Sequence, residues 1–248
     1  MNIIITGASS GLGAKLAEIY AKEKHNLILI GRNKKRLTEI NNKCQKLGAK
    51  TQYEIIDVRN YEKLKTSITN HTKKHPIDLI IANAGISAGS HGGPESYSQL
   101  KDIFDVNIYG VINSIYPLIE NFKKRKTGQI AIISSMAALH ALPSAPAYSC
   151  SKITIKYFGD SLRAELKKYN IKVNIIFPGY IDTPLTKNNN FPMPLMIKAD
   201  IAAQKIKYGL EKNHYYIIFP KIIYYLLKFI NLLPLKITDF IFAKLPKK

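Results

Sequence analysis

The sequence predicts an α/β protein: a doubly wound, parallel sheet of seven strands, followed by a helical extension at the carboxyl end. Two observations predict it. Seven short runs rich in β-branched residues alternate with six amphipathic stretches of helical length as far as residue 219. The runs are almost unbroken in apolar character, as strands covered on both faces must be, and each connection is long enough for a parallel crossover.

The elements follow in order. Residues 2–6, Asn-Ile-Ile-Ile-Thr, form a buried strand that enters a glycine turn at once. No basic stretch, apolar stretch and small-residue cleavage site precedes it, so a cleaved leader is not expected. A helix over 12–24 leads to strand 26–31, and a helix over 34–47 to strand 52–56. Helix 61–74 and strand 79–83 continue the alternation, then helix 97–123 and strand 128–134, helix 147–169 and strand 172–177, helix 199–211 and strand 215–219. No repeat, low-complexity tract or Pro/Gly/Ser linker divides the chain, so one domain is drawn over 1–220 and the extension over 221–248. The longest stretches without period, 85–94 and 183–194, both follow the carboxyl end of a strand, the edge at which such sheets bind ligands.

Composition bounds the rest. Of 248 residues 46% are apolar and 10% aromatic, enough to bury a core and far from a disordered chain. Lys and Arg number 37 against 17 Asp and Glu, a net charge of +20 with pI near 9.8. Up to residue 210 the lysines are scattered over helix faces without interleaved aromatics, so nucleic acid is not an expected partner. Two cysteines, Cys44 and Cys150, are too few for a disulfide framework or a Cys-rich zinc site. They point to a reducing, cytoplasmic setting, and Cys150 is read as a small, inert core residue. The six histidines (His25, His71, His75, His91, His140, His214) have no ligand spacing, and no metal is assigned. His140 could line a pocket, although a loop histidine without a role is the favoured reading.

Thr6-Gly7-Ala8-Ser9-Ser10-Gly11-Leu12-Gly13 stands between the first strand and the first helix. This placement provides a tight turn, close backbone approach to a pyrophosphate, and a helix N-terminus aimed at it. At the end of the second strand, an acidic residue would bond the ribose hydroxyl of NAD; this chain has Gly31 and Arg32, followed by Lys34, Lys35 and Arg36. Glycine leaves room for a 2′-phosphate and a guanidinium binds one, so NADP(H) is the expected cofactor.

Tyr148 and Lys152, four apart at the start of a helix, share a face. A nearby ammonium favours the phenolate and is expected to lower the Tyr148 pKa from about 10. Ser135 lies just past a β-branched run, at the same sheet edge, and Asn107 sits inside an apolar helix.

Together these features resemble the short-chain dehydrogenase/reductase (SDR) family, with its Rossmann-type fold, over residues 2–220. The resemblance rests on the glycine turn, Asp57-Val58, Asn83-Ala84-Gly85, Asn107, Ser134-Ser135, Tyr148 to Lys152, and Pro178-Gly179 with Thr183. It implies a catalytic set of Asn107, Ser135, Tyr148 and Lys152. Tyr148 would exchange a proton with the substrate oxygen and Ser135 would hold that oxygen. Lys152 would bind the nicotinamide ribose, and Asn107 would hold a relay water. The cofactor-binding set implied is Gly7, Ser9, Ser10, Gly11, Leu12, Gly13, Arg32, Asp57, Val58, Asn83, Ala84, Gly85, Asn107, Tyr148, Lys152, Pro178, Gly179, Ile181 and Thr183. Within it Asp57 would bond the adenine amino group, Asn83 would support the central strand, and Pro178-Gly179 with Thr183 would cap the nicotinamide. The substrate implied is a small-molecule carbonyl or alcohol. A homodimer or homotetramer on the helices carrying Asn107 and Tyr148 is implied as well. Three departures are small: no basic residue inside the glycine turn, Ala138 where Gly is frequent, and Cys150 where Ala is usual. The competing class, a non-catalytic NAD(P)-binding regulatory or membrane-surface protein on the same fold, would have no need of the intact catalytic set.

Residues 215–233 contain 15 apolar residues of 19, but 215–219 serve as the last strand and the remaining 13 are too few to span a bilayer. In helical register Ile222, Ile223, Leu226, Leu227, Ile230 and Leu233 form one stripe, away from Lys221, Lys228 and Asn231. Such a stripe fits an in-plane membrane anchor, and equally a helix buried over the substrate cleft or against a second subunit.

Overall fold

The computed structural model describes residues 1–87, 95–142, 145–187 and 192–243. Parts of the ligand-edge stretches expected at 85–94 and 183–194, residues 143–144, His91 and the last five residues of the tail lie outside the described residues.

The chain alternates strands and helices from its first residues. They run β1 (Asn2–Thr6), α1 (Gly11–Lys22), β2 (Asn26–Gly31), α2 (Lys34–Lys46), β3 (Thr51–Ile55), α3 (Tyr61–Lys74), β4 (Leu79–Ala82), α4 (Tyr97–Phe104) and α5 (Gly110–Arg125). The second half contains β5 (Gly128–Ile133), α6 (Pro146–Leu166), β6 (Ile171–Pro178), the two-residue strands β7 (Ile181–Asp182) and β8 (Ile197–Lys198), α7 (Ala199–Glu211), β9 (Tyr216–Phe219), α8 (Lys221–Ile230) and α9 (Leu235–Ala243). Seven strands form one sheet in the order β3-β2-β1-β4-β5-β6-β9, and every pairing in it is parallel. The order reverses between β1 and β4, which creates the crevice where ligands sit in doubly wound sheets.

The two-residue period of a strand divides the core into two layers. Ile3 and Ile5 of β1 pack with Leu16 and Tyr20 of α1, Leu37 of α2 and Ile206 of α7. Ile4 points the other way, into a layer with Leu64 of α3, Ile115 and Leu118 of α5, and Leu162 of α6. A third, smaller cluster joins Met136, Ile175 and Phe177 to Tyr224 of α8, so the tail's first helix packs directly on the sheet's far edge.

Most expected elements differ from the observed ones by a residue or two at their ends, the usual fraying of element boundaries. Three differences matter more. The helix expected over 97–123 is interrupted by a π turn at Asp105–Tyr109. The strands β7 and β8 pair across the ends of the 183–194 loop, and segments of two residues have no period to read. The tail stripe is not buried as a unit: Ile223, Tyr224 and Leu227 face the protein, while Ile222 and Leu226 are exposed. Among the described residues no helix is long and apolar enough to cross a membrane.

Candidate active site

The glycine turn is shaped by close approach. Gly7 has φ +67°, and a Cβ there would stand 2.8 Å from the Ala84 Cα. A Cβ on Gly13 would collide with the Gly7 carbonyl oxygen, so α1 can pack this close to the turn only with glycine. Asn83 locks the arrangement: its side-chain amide donates to the carbonyls of Thr6 (3.0 Å) and Gly7 (3.3 Å), while Thr6 Oγ1 accepts from the N–H groups of Asn83 and Ala84. Ser10, at the N-cap of α1, makes no side-chain cap hydrogen bond. The helix N-terminus is therefore left to bind an anion through its first N–H groups.

At the end of β2 and β3 the charges form a chain. Arg59 donates to Asp57 through Nε (3.1 Å to each oxygen), one terminal nitrogen (2.7 Å) and its own backbone N–H (3.0 Å). It also reaches Asp102 at 3.1 Å. Arg32 makes a longer contact with Asp57, 3.4 Å, with 57% of its side chain exposed. Partial burial pushes the Asp57 carboxyl up, but the Arg59 hydrogen bonds and the two guanidinium charges outweigh it and hold the group below the usual carboxylate range. Both Asp57 oxygens thus carry arginines, where the resemblance implied an adenine contact.

The catalytic candidates converge from three elements. The π turn swings Asn107 fully inward, and its side chain exchanges two hydrogen bonds with the Ile86 backbone (2.8 and 2.9 Å). Its amide also donates to Ser151 Oγ at 3.1 Å, and Ser151 in turn donates to the Tyr148 carbonyl at 2.7 Å. Both Asn107 amide hydrogens are thereby used within the protein. Ser134, one residue before Ser135, donates to the Lys152 carbonyl at 2.9 Å. The Lys152 ammonium donates to the Ile133 carbonyl at 3.1 Å and lies 5.6 Å from the Tyr148 ring centre. The hydroxyls of Ser135 and Tyr148 are hydrogen-bonded to each other.

The electrostatics correct one expectation. Tyr148 is held above, not below, the usual phenol value: burial raises it, and the Ser135 hydrogen bond only partly offsets this. Burial also pulls Lys152 down to about 8. A lysine whose own charge is suppressed by desolvation is a weaker partner for a phenolate than spacing alone suggested.

These groups line one cavity of about 1150 Å³ at the carboxyl edge of β1, β2, β4, β5 and β6. Every residue of the implied cofactor and catalytic sets lines it except Gly13 and Asn107, which support it from behind. Arg36 and Asn33 join Arg32 at one end. The other end is apolar, with Met136, Leu142, Ile223, Leu226, Leu227 and Phe242.

Sequence reasoning passed over several contributors. Glu95 accepts from the N–H groups of Ala147 (2.6 Å) and Tyr148 (3.4 Å), capping a helix whose own N-cap, Ala145, has no side chain to do so. Arg59 and Ser151 were also unassigned. His140, read as a loop residue without a role, bonds Asn231 (2.6 Å) and stacks on Phe242 with ring centres 3.6 Å apart, joining the cleft to the tail. Cys150, expected in the core, is exposed, because it falls on the outer face of α6 while Ser149, Ser151 and Lys152 face inward. Among the described residues no cluster of three or more His, Cys, Asp or Glu could hold a metal ion.

The chain matches the short chain dehydrogenase family over residues 1–193. It is similar to a Myxococcus xanthus protein described as an uncharacterized oxidoreductase, at 28% identity, covering 88% of this chain and 86% of that one. Its fold is similar to a short-chain dehydrogenase from Sphingobium yanoikuyae in complex with NADPH, with TM-score 0.81 and 22% identity over 88% of this chain and 87% of that one. It is also similar to a short chain dehydrogenase from Mycobacterium paratuberculosis bound to NAD, with TM-score 0.72 and 22% identity over 84% and 89% of the two chains. At these identities the two structures attest the shared fold.

Proposed function

The chain belongs to the short-chain dehydrogenase/reductase family of oxidoreductases, and on that premise we propose that it is an NADPH-dependent reductase of a carbonyl substrate with Tyr148 as the proton donor. The observation that carries this reading is the Ser135–Tyr148 hydroxyl pair, backed by Lys152, in a cavity whose opposite end is the glycine turn.

A dinucleotide fits the residues present. The tight turn at Gly7, closed against the Ala84 backbone, and the uncapped start of α1 suit a pyrophosphate, with Gly11 and Leu12 beside it and Asn83 to Gly85 along the floor. When bound, the nicotinamide supplies the hydride. The protein supplies position and a proton. The Ser135 and Tyr148 hydroxyls together hold the substrate oxygen. The Tyr148 phenol, held above its usual pKa by burial, is protonated near neutral pH and so has a proton to give to that oxygen. Lys152 Nζ, at about 8, is largely charged at neutral pH and steadies the phenolate as the proton leaves. Asn107 is the positioning residue: it pins the π turn to Ile86 and, through Ser151, the backbone of Tyr148.

The preference for NADPH rests on Arg32 and Arg36 at the cavity's basic end. The Arg32 contact to Asp57 is long and solvent-exposed, the kind of pair that yields easily to a phosphate. Titration with NADPH and NADH, followed by turnover on aliphatic, aromatic and steroid ketones, tests the reading. NADPH binding tighter than NADH, with oxidation on at least one ketone, is expected; equal binding would overturn the cofactor preference, and binding without turnover would count against the reductase.

A further inference from the structure

We propose that α8 and α9 form a docking surface for an anionic lipid bilayer, with the substrate end of the cleft opening beside it. The tail has two faces. Ile223, Tyr224 and Leu227 pack on the sheet edge and Phe242 is buried against His140. On the opposite side Ile222 (67%), Tyr225 (63%), Phe229 (62%), Leu232 (82%) and Leu235 (79%) are exposed. Five large apolar side chains exposed within 14 consecutive residues, 222–235, mark an interaction site rather than ordinary surface.

Charge selects the occupant. Residues 221–248 contain six lysines and one aspartate, and Lys221, Lys228 and Lys236 are exposed around the apolar side chains. Two copies of this face brought together would oppose lysine to lysine, whereas anionic headgroups complement them. The helices have 10 and 9 residues, too short to span but suited to lie in the interfacial plane with tyrosine and phenylalanine at headgroup depth. Long lysine side chains can extend from the edge of such a helix to the phosphates.

Leu226 joins the surface to the chemistry. It is 54% exposed and at the same time lines the cavity, beside Ile223, Leu227 and Phe242. A lipophilic carbonyl compound dissolved in the bilayer would therefore meet the apolar end of the cleft without crossing water. This delivery role rests on the proposed reductase activity; the docking surface does not.

Co-sedimentation of the full chain with phosphatidylcholine vesicles, alone or with about one-third phosphatidylserine, tests the docking. The wild type should sediment with the anionic vesicles and much less with the neutral ones. The variant Phe229→Ser, Leu232→Ser, Leu235→Ser, altered only at exposed positions, should lose at least about tenfold in vesicle affinity while binding NADPH like the wild type. A wild type that stays in the supernatant with both vesicles, or a variant that sediments equally well, overturns the proposal. So does an oligomer that dissociates in the variant while neither protein binds vesicles, since a second copy would then be the occupant. For delivery, the variant should turn over a long-chain ketone held in vesicles more slowly and a short water-soluble ketone unchanged; equal rates on both overturn it. Vesicle binding without turnover on either ketone would sink the reductase reading and leave the docking surface standing.

Discussion

Tyr148 and Lys152 show how burial can reverse an inference from spacing. Four residues apart on one helix face, they suggested an acidified phenol, yet the structure buries both, raising the phenol and lowering the ammonium to about 8. The pH dependence of reduction follows from the signs. The acid form of Tyr148 persists well above neutrality, so the first group lost on raising the pH is the Lys152 charge. The kcat/KM for carbonyl reduction should hold steady at neutral pH and fall as the pH passes through about 8. A profile that stays level well beyond that point would show that Lys152 does not act as a cation here. Arg32 tests the other end of the cleft: Arg32→Ala should raise the KM for NADPH at least about tenfold more than that for NADH, and equal effects would remove its role in selecting the cofactor. At this scale the sequence was legible wherever chemistry is local. The glycine turn, Ser135 and the Tyr148-Lys152 spacing could be read because neighbours along the chain remain neighbours in space. Arg59 on Asp102, Ser151 under Asn107, and His140 on Asn231 and Phe242 were not, since partners about forty to a hundred residues apart meet only after folding.

Among elements, α6, which carries Tyr148 and Lys152, depends on a cap supplied from elsewhere. Pro146 occupies its first turn and Ala145 cannot cap it, so the Glu95 carboxylate takes the first free N–H groups and sets its charge against the positive end of the helix. Glu95→Ala should lower stability by about 1 kcal/mol in a denaturant titration and lower kcat more than it changes NADPH affinity, because Tyr148 itself loses an anchor. A variant with wild-type kcat would limit Glu95 to a structural part. The π turn at Asp105–Tyr109 illustrates what periodicity cannot reveal. One extra residue per turn leaves the apolar pattern of 97–123 nearly intact, so a single helix was the natural reading, yet that residue is what turns Asn107 inward. Such insertions in helices recur at functional sites. The seven main strands were legible because parallel strands buried on both faces read as unbroken apolar runs, and the two-residue β7 and β8 were not.

The whole molecule presents a further apolar surface besides the tail and the cleft. On α5 and α6, and at the π turn between α4 and α5, Tyr109, Tyr116, Ile153 and Tyr157 are exposed, on the helices where the family resemblance implied a subunit interface. If that face joins two copies, Tyr116→Glu with Tyr157→Glu should reduce the mass measured by light scattering to that of one chain, 27.9 kDa; an unchanged mass in a protein larger than one chain would place the interface elsewhere. The tail was only half legible. Its composition allowed either a buried or a lipid-facing helix, and the structure divides the difference: Tyr224 and Phe242 turn inward while Leu232 and Leu235 remain in solvent. Lys221, Lys228 and Asn231 mark only one flank of the helix, and the broad apolar remainder does not tell its sheet-facing side chains from its exposed ones.

The central claim is that Tyr148 gives the proton in a cleft that binds the cofactor without its help. It is tested most directly with Tyr148→Phe, by measuring NADPH affinity and single-turnover NADPH oxidation with one responsive ketone on the same preparation. Loss of the phenol oxygen should leave NADPH affinity within about twofold and slow oxidation by about a hundred- to ten-thousandfold. Oxidation at the wild-type rate, with the cofactor bound equally well, would contradict the account.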